Sequence, residues 1–228
     1  MGIAIGLMCK APRAGFAKTR LARTIGAEAA ARLAAAFIND SAARALAVAA
    51  ALGGVAVALH TPADAGPEIA PLLPPGFGLA PQPEGDLGAR MAGGFAALFG
   101  AGHGPVLITG TDIPTLPDAL LRSALAAVLS GRAEAAAVPV LDGGYCALVL
   151  ARPMPALFQG IAWSTAGVMA ATEAAAASAG IGFHRTPPWY DVDDEHGLGI
   201  LRAEFAGTAP ADCADMVGYD AMATRLVV

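Results

Sequence analysis

The stretch Ile3-Ala-Ile-Gly-Leu-Met-Cys9-Lys10-Ala-Pro-Arg13-Ala-Gly15-Phe-Ala-Lys18-Thr19-Arg20-Leu21 decides the fold class. Its first part is a short apolar run of strand character that stops at a loop rich in cations. From about residue 26 the chain turns alanine-rich and helical in period. Strand, loop and long helix open a βαβ unit, and the same alternation recurs along the chain, which predicts an α/β domain with a mostly parallel sheet. Strands are expected near residues 2–8, 54–60, 77–81, 105–109, 135–141, 144–151 and 182–187. Helices are expected near 26–51, 88–100, 117–130 and 165–180, with another after Asp193. Only Asp142-Gly143-Gly144 separates the fifth and sixth strands, too little for a crossover helix, so that pair should be antiparallel and the sheet mixed.

The composition limits the function classes. Of 228 residues, 56% are hydrophobic and only 14% charged, which excludes a disordered chain. The net charge of −5 argues against bulk electrostatic binding of nucleic acid. That average hides an asymmetry, because Lys10, Arg13, Lys18, Arg20 and Arg23 are the only charges before Glu28. Three cysteines, far apart and without a CxxC pair, predict neither a disulfide framework nor a zinc site, and the expected compartment is the cytoplasm. The uncharged stretch 45–63 nearly reaches the length of a membrane span, but Gly53-Gly54 should split it into the end of a helix and a strand. No membrane span is expected. Residues 1–205 are read as one domain and 206–228 as an appendage of it.

Two kinds of residue carry the chemistry. The loop after the first strand sets Lys10, Arg13, Lys18 and Arg20 around Gly15 and Thr19, and cations between a strand and a helix suit phosphate oxygens at the carboxyl edge of a sheet. It is not a P-loop, because Phe16 and Ala17 separate Gly15 from Lys18. The acids form the second group. Asp112 follows the strand Pro105-Val-Leu-Ile-Thr109, and Asp191-Val-Asp193-Asp194-Glu195 follows the last strand. Residues two apart in extended chain face one side, so Asp191 and Asp193 should converge, with Asp112, on a divalent cation. Asp194 and Glu195 are expected to serve the start of a helix.

Three smaller motifs are Gln82-Pro-Glu-Gly85-Asp86-Leu-Gly88-Ala-Arg90-Met91, which opens a helix with glycine and charge, Asp142-Gly143-Gly144-Tyr145, and Trp163-Ser164-Thr165. Taken in order, KAPRxGxxKTRL, QxxGDLGxRM, GTDxP, DGGY, WST and DVD resemble the bacterial radical-enzyme/selenodomain-associated transferases, also described as glycosyltransferases, over roughly residues 3–202. Ala17-Lys-Thr-Arg-Leu21 is also similar to a segment of the 2-phospholactate guanylyltransferases. The family's usual GTDCP stands here as GTDIP and its DVDT as DVDD.

The resemblance implies a single three-layer domain of the nucleotide-diphospho-sugar transferase (GT-A) type. It further implies that Lys10, Lys18 and Arg20 meet nucleotide phosphates, with Arg13, Gly15, Thr19, Gly85, Asp86 and Arg90 in the same binding region. Asp112, Asp191 and Asp193 would hold Mg2+ or Mn2+, with Asp112 and Lys18 at the reaction itself. Asp142, Gly143, Gly144, Tyr145, Ser164 and Thr165 would lie toward the acceptor. The expected function is metal-dependent transfer from a nucleotide-activated donor to a small-molecule acceptor. Glycosyl transfer from a nucleoside diphosphate sugar is the first reading and guanylyl-type nucleotidyl transfer to a phosphorylated small molecule the second. A nucleotide-sensing module without catalysis is the third. No nucleic-acid partner is expected, and a homodimer is left open.

Overall fold

The first strand, β1, runs Ala4–Lys10, and its alternating side chains enter two different cores, Ile5 on one face and Ala4 on the other. The computed structural model describes residues 2–208 and 220–228. After the basic loop come a short turn α1 (Ala22–Ile25) and the 25-residue helix α2 (Ala27–Ala51). Alanine has the highest helix propensity, and no glycine or proline interrupts this run until Gly53. There the helix stops: Gly53 has φ +64°, and the Gly54 amide donates back to Ala49 O at 2.9 Å, which closes the end of α2. Strand β2 (Val55–Thr61) starts at once, so the uncharged stretch 45–63 is part helix and part strand, as its glycines predict.

The remaining order is α3 (Gly66–Ile69), β3 (Gly78–Pro81), α4 (Leu87–Gly100), β4 (Val106–Thr109), α5 (Asp118–Leu129), β5 (Ala135–Pro139), β6 (Tyr145–Leu150), α6 (Val168–Ser178), β7 (Phe183–Arg185), α7 (Glu195–Phe205) and the terminal turn α8 (Met222–Arg225). Among the described residues seven strands form one sheet in the order β3-β2-β1-β4-β6-β5-β7. Only β6 runs antiparallel, paired with both β4 and β5. Helices α2, α5 and α7 cover one face through Phe37, Leu121 and Leu198, and α4 and α6 cover the other through Phe95 and Met169. This is the single α/β domain expected, with three layers and a mixed sheet. The sequence reading did not separate α1 and α3 from their loops, because four-residue helices leave no periodicity.

Of the predicted appendage 206–228, residues 209–219 lie outside the described residues, as does Cys213. Its last turn is held by α2: the Ala223 and Thr224 amides donate to the two Asp40 carboxylate oxygens at 3.1 and 2.7 Å. Asp40 is thereby a cap supplied across space, which satisfies donors at the start of α8. Among the described residues one helix, α2, is long and apolar enough to cross a membrane by length and composition, and 67% of its most apolar window is buried inside the protein.

Candidate functional site

Strands β1 and β4 are neighbours, yet the chain leaves β1 toward β2 and leaves β4 toward the opposite side of the sheet. A crevice opens at the carboxyl ends of such a pair. Gly110-Thr111-Asp112 leave β4 at that edge. The segment after β7 reaches the same edge by continuing beside β5, with Trp189 N on Pro139 O at 3.0 Å and Leu141 N on Trp189 O at 3.1 Å. Two further bonds join the segments. Val192 N donates to Asp112 O at 2.8 Å, and the Thr115 and Tyr190 hydroxyls meet at 2.8 Å. About 80 residues of sequence separate these acids, and backbone pairing brings them together.

Lys18 lies between the carboxylates. Its Nζ is 2.6 Å from Asp112 Oδ1 and 2.9 Å from Asp193 Oδ1, and it donates to Val192 O at 2.8 Å. An ammonium has three protons and these are its three acceptors. In this structure the Lys18 side chain is only 6% exposed and engages carboxylates. Burial lowers the lysine's basicity, but Asp112 and Asp193 outweigh it and hold Lys18 above its ordinary range. Burial, then the neighbouring Asp193, raises Asp112 despite Lys18. For Asp193 burial is outweighed by Lys18, and the carboxyl stays below its ordinary range. Asp191 is pushed up to about 6 by burial and by the charges of Asp193, Asp142 and Asp112.

A cavity of about 390 Å³ contains Arg20, Asp112, Asp142, Asp191 and Asp193, with Met8, Leu87, Met91 and Trp163 on its apolar wall. A second space of about 530 Å³ adjoins it across Met8, Leu87, Trp163 and Ser164, and is lined by Lys10, Thr61, Gln82, Gly85, Asp86 and Arg90. Asp86 caps α4 through the Ala89 amide at 2.8 Å, and Arg90 Nε donates to Gly85 O at 2.9 Å. Lys10 Nζ lies 4.2 Å from the Phe16 ring centre. Arg13 lines neither space. Its Nε lies 3.0 Å from Glu68 on α3, with Asp64 beside it, so local acids take the cation. Gly15 turns the loop at φ +74°, and Thr19 is exposed outside both spaces.

On the expected acceptor side, Asp142, Gly144, Tyr145, Ser164 and Thr165 all line the first cavity. Gly143 does not. It has φ +91°, and a Cβ there would stand 2.1 Å from Ala166 O, so its role is contact between two loops. Asp142 Oδ1 accepts from Gly144 N at 2.9 Å, and Thr165 Oγ1 donates to Ala162 O at 2.8 Å. The Tyr145 hydroxyl is buried near Thr172, and burial pushes it up. Asp194 caps α7 by accepting from the His196 and Gly197 amides at 3.0 and 3.1 Å, as expected. Burial also raises the free thiols of Cys9 and Cys146, which disfavours the thiolate form at both.

Sequence reasoning missed Arg44. This arginine is 1% exposed on α2 and donates to Ile113 O at 3.1 Å, Pro114 O at 2.9 Å and Leu116 O at 3.4 Å, while Ser41 Oγ donates to Thr111 O at 3.4 Å. Together they grip the turn that presents Asp112. A single charge, Arg44, among the otherwise apolar residues 42–51 of α2 was the available signal. Trp163 was also given no role, although it stands where the two spaces meet. Gly88 makes room for it, since a Cβ there would lie 2.1 Å from its Nε1.

Among the described residues no three acidic, histidine or cysteine side chains make a preformed metal group. The donors nevertheless fit a hard cation. Lys18 takes Oδ1 of Asp112 and of Asp193, and these side chains remain 44% and 40% exposed. Mg2+ is commonly held by one or two carboxylates together with substrate phosphates, an arrangement that needs no complete protein cage.

The chain belongs to the family described as "Uncharacterized protein conserved in bacteria (DUF2064)", whose model matches residues 45–165. No curated protein matches the sequence. Among solved structures it is similar to a protein of Desulfovibrio desulfuricans G20 provisionally named a nucleotide-diphospho-sugar transferase. They share 28% identity with a TM-score of 0.81, over 100% of this chain and 99% of that one. It shares its fold with CMP:2-keto-3-deoxy-manno-octonic acid synthetase complexed with CTP, at 11% identity and a TM-score of 0.57, over 91% and 99% of the two chains. A third likeness is to Rv0371c of Mycobacterium tuberculosis H37Rv in complex with manganese, at 14% identity and a TM-score of 0.51, over 88% and 98%.

Proposed function

We propose that this family member is a metal-dependent transferase that uses a nucleotide-activated donor, and that it transfers a glycosyl group from a nucleoside diphosphate sugar. The observation that carries the reading is the adjacency of the two spaces, one bearing Lys10 and Arg90 and the other bearing four carboxylates and Arg20. Cations in the first suit the donor's phosphates. Asp112, Asp193 and Asp191 would hold Mg2+ or Mn2+, which supplies positive charge where the leaving diphosphate gains negative charge. The likenesses to a provisionally named sugar transferase and to a manganese complex support this reading.

The chain's own groups then have distinct tasks. Lys10, Arg20 and Arg90 bind the diphosphate and stabilise its charge as the bond to the sugar breaks. Lys18 keeps Asp112 and Asp193 together before any ligand arrives. Ser164, Thr165 and Asp142 border the acceptor. Nucleotidyl transfer of the guanylyl type is the second reading, supported by the shared fold with a CTP-bound synthetase. Product analysis tests the choice. With Mn2+ and a panel of sugar nucleotides and nucleoside triphosphates, release of nucleoside diphosphate is expected. Release of pyrophosphate from a triphosphate instead would establish the second reading, and neither product would refute both.

A further inference from the structure

The two spaces differ in charge, and the difference bears on the acceptor. Apart from Arg20, every charged residue lining the first cavity is an aspartate: Asp112, Asp142, Asp191 and Asp193. Lys18 offsets part of the charge of Asp112 and Asp193, but with all its protons engaged it offers none to a ligand. A cation bound here would be shared with the donor's diphosphate. The rest of the lining includes an apolar group. Trp163 is stacked on Phe158 with ring centres 6.3 Å apart and is seated against Gly88, and Met8, Leu87, Met91 and Ile108 continue its surface.

A phosphorylated acceptor requires arginines or lysines to receive it and is repelled by a carboxylate left without a cation, here Asp142, which stands outside both the Lys18 pairs and the residues that would hold the metal. We infer that the Asp112 cavity accepts an uncharged, amphipathic molecule, a hydroxyl compound with an apolar side set against Trp163 and the methionines, and rejects phosphorylated acceptors. The inference rests on the transferase reading for the word acceptor, and it names the substrate class of that site. Its selectivity arises from the carboxylates that disfavour the competing ligand as much as from the apolar wall that favours the correct one.

A matched pair of probes tests it. Protein loaded with MnCl2 and UDP is titrated with 1,2-hexanediol and with hexyl phosphate while tryptophan emission is followed. Trp163 lines the cavity and the only other tryptophan, Trp189, is 1% exposed. The diol should bind saturably and hexyl phosphate at least about tenfold more weakly, with the gap narrowing in Asp142→Asn and reversing in Asp142→Lys. Circular dichroism confirms that both variants are folded. A diol that fails to bind, or hexyl phosphate that binds the unaltered protein equally well, overturns the inference. Thermal shifts with MnCl2 and UDP alone are scored separately. Their absence beside a diol-selective cavity would sink the transferase reading and leave the selectivity standing.

Discussion

Lys18 Nζ lies 2.9 Å from Asp193 Oδ1, although 175 residues separate them in the chain. The same nitrogen holds Asp112, so one buried ammonium joins the loop after β1, the loop after β4 and the segment after β7. Lys18→Met removes that charge and leaves two adjacent carboxylates opposed. Their partial exposure limits the cost to about 2 kcal/mol, below the loss typical of a fully buried pair. Melting temperatures with and without MnCl2 check the origin of the loss. Mn2+ should restore more stability to Lys18→Met than it adds to the unaltered protein, and an equal gain in both would argue that the carboxylates do not face a common cation.

Asp112→Asn is nearly isosteric and retains the backbone carbonyl that accepts Val192 N. Folding should be preserved while Mn2+-dependent nucleotide binding is lost. Calorimetry of nucleotide in the presence of Mn2+, read beside an unchanged circular dichroism spectrum, decides it. Undiminished metal-dependent affinity would remove Asp112 from the site.

The cations are expected to divide by position. Arg20→Ala and Lys10→Ala should each weaken nucleotide affinity by about 1.5 to 3 kcal/mol, the range for charge-assisted hydrogen bonds. Arg13→Ala should leave affinity unchanged, because Glu68 and Asp64 already hold that side chain on the surface. Three equal losses would mean that net charge of the loop matters and geometry does not.

Arg44→Met should destabilise the protein by about 3 kcal/mol, since it strips hydrogen bonds from buried carbonyls. The loss should be accompanied by weaker Mn2+ binding, as the turn bearing Asp112 loosens. Urea unfolding gives the first quantity and metal titration at a denaturant-free, fully folded temperature gives the second. Lower stability with unaltered metal affinity would limit Arg44 to packing.

Asp191, raised to about 6, gives the site a pH signature. Between its unfolded value near 4 and about 6 the folded protein binds the proton more readily than the unfolded chain does, so stability should fall as pH rises through that window. Divalent-cation affinity should change in the opposite direction and weaken as pH falls through 6. Asp191→Asn should flatten both profiles between pH 4.5 and 7, as measured by thermal unfolding and Mn2+ titration.

The architecture was legible because its signals are local. Apolar runs marked the strands, Gly53-Gly54 ended α2, and the three-residue Asp142-Gly143-Gly144 link permitted only an antiparallel turn. The carboxylate convergence was legible too, since α/β topology gathers strand ends at one edge. Partner choice was not. Lys18 and Arg13 look alike in sequence, and what separates them is which acid the fold brings near: Asp112 and Asp193 for one, Glu68 on a helix too short to be read for the other. Arg44 was hidden for the same reason, because its acceptors are backbone carbonyls and carry no residue signature.

Asp40, Ser41 and Arg44 occupy little more than one turn of α2, the first holding α8 and the other two holding the Asp112 turn. Disturbance of α8 therefore has a mechanical route to the cleft. An affinity tag that pulls Met222–Arg225 off its seat would leave Asp40 buried without its amide donors and disturb the helix where it grips that turn. Purification handles belong away from α8, and deletions that begin near Ala221 should be judged first by metal affinity and only then by yield.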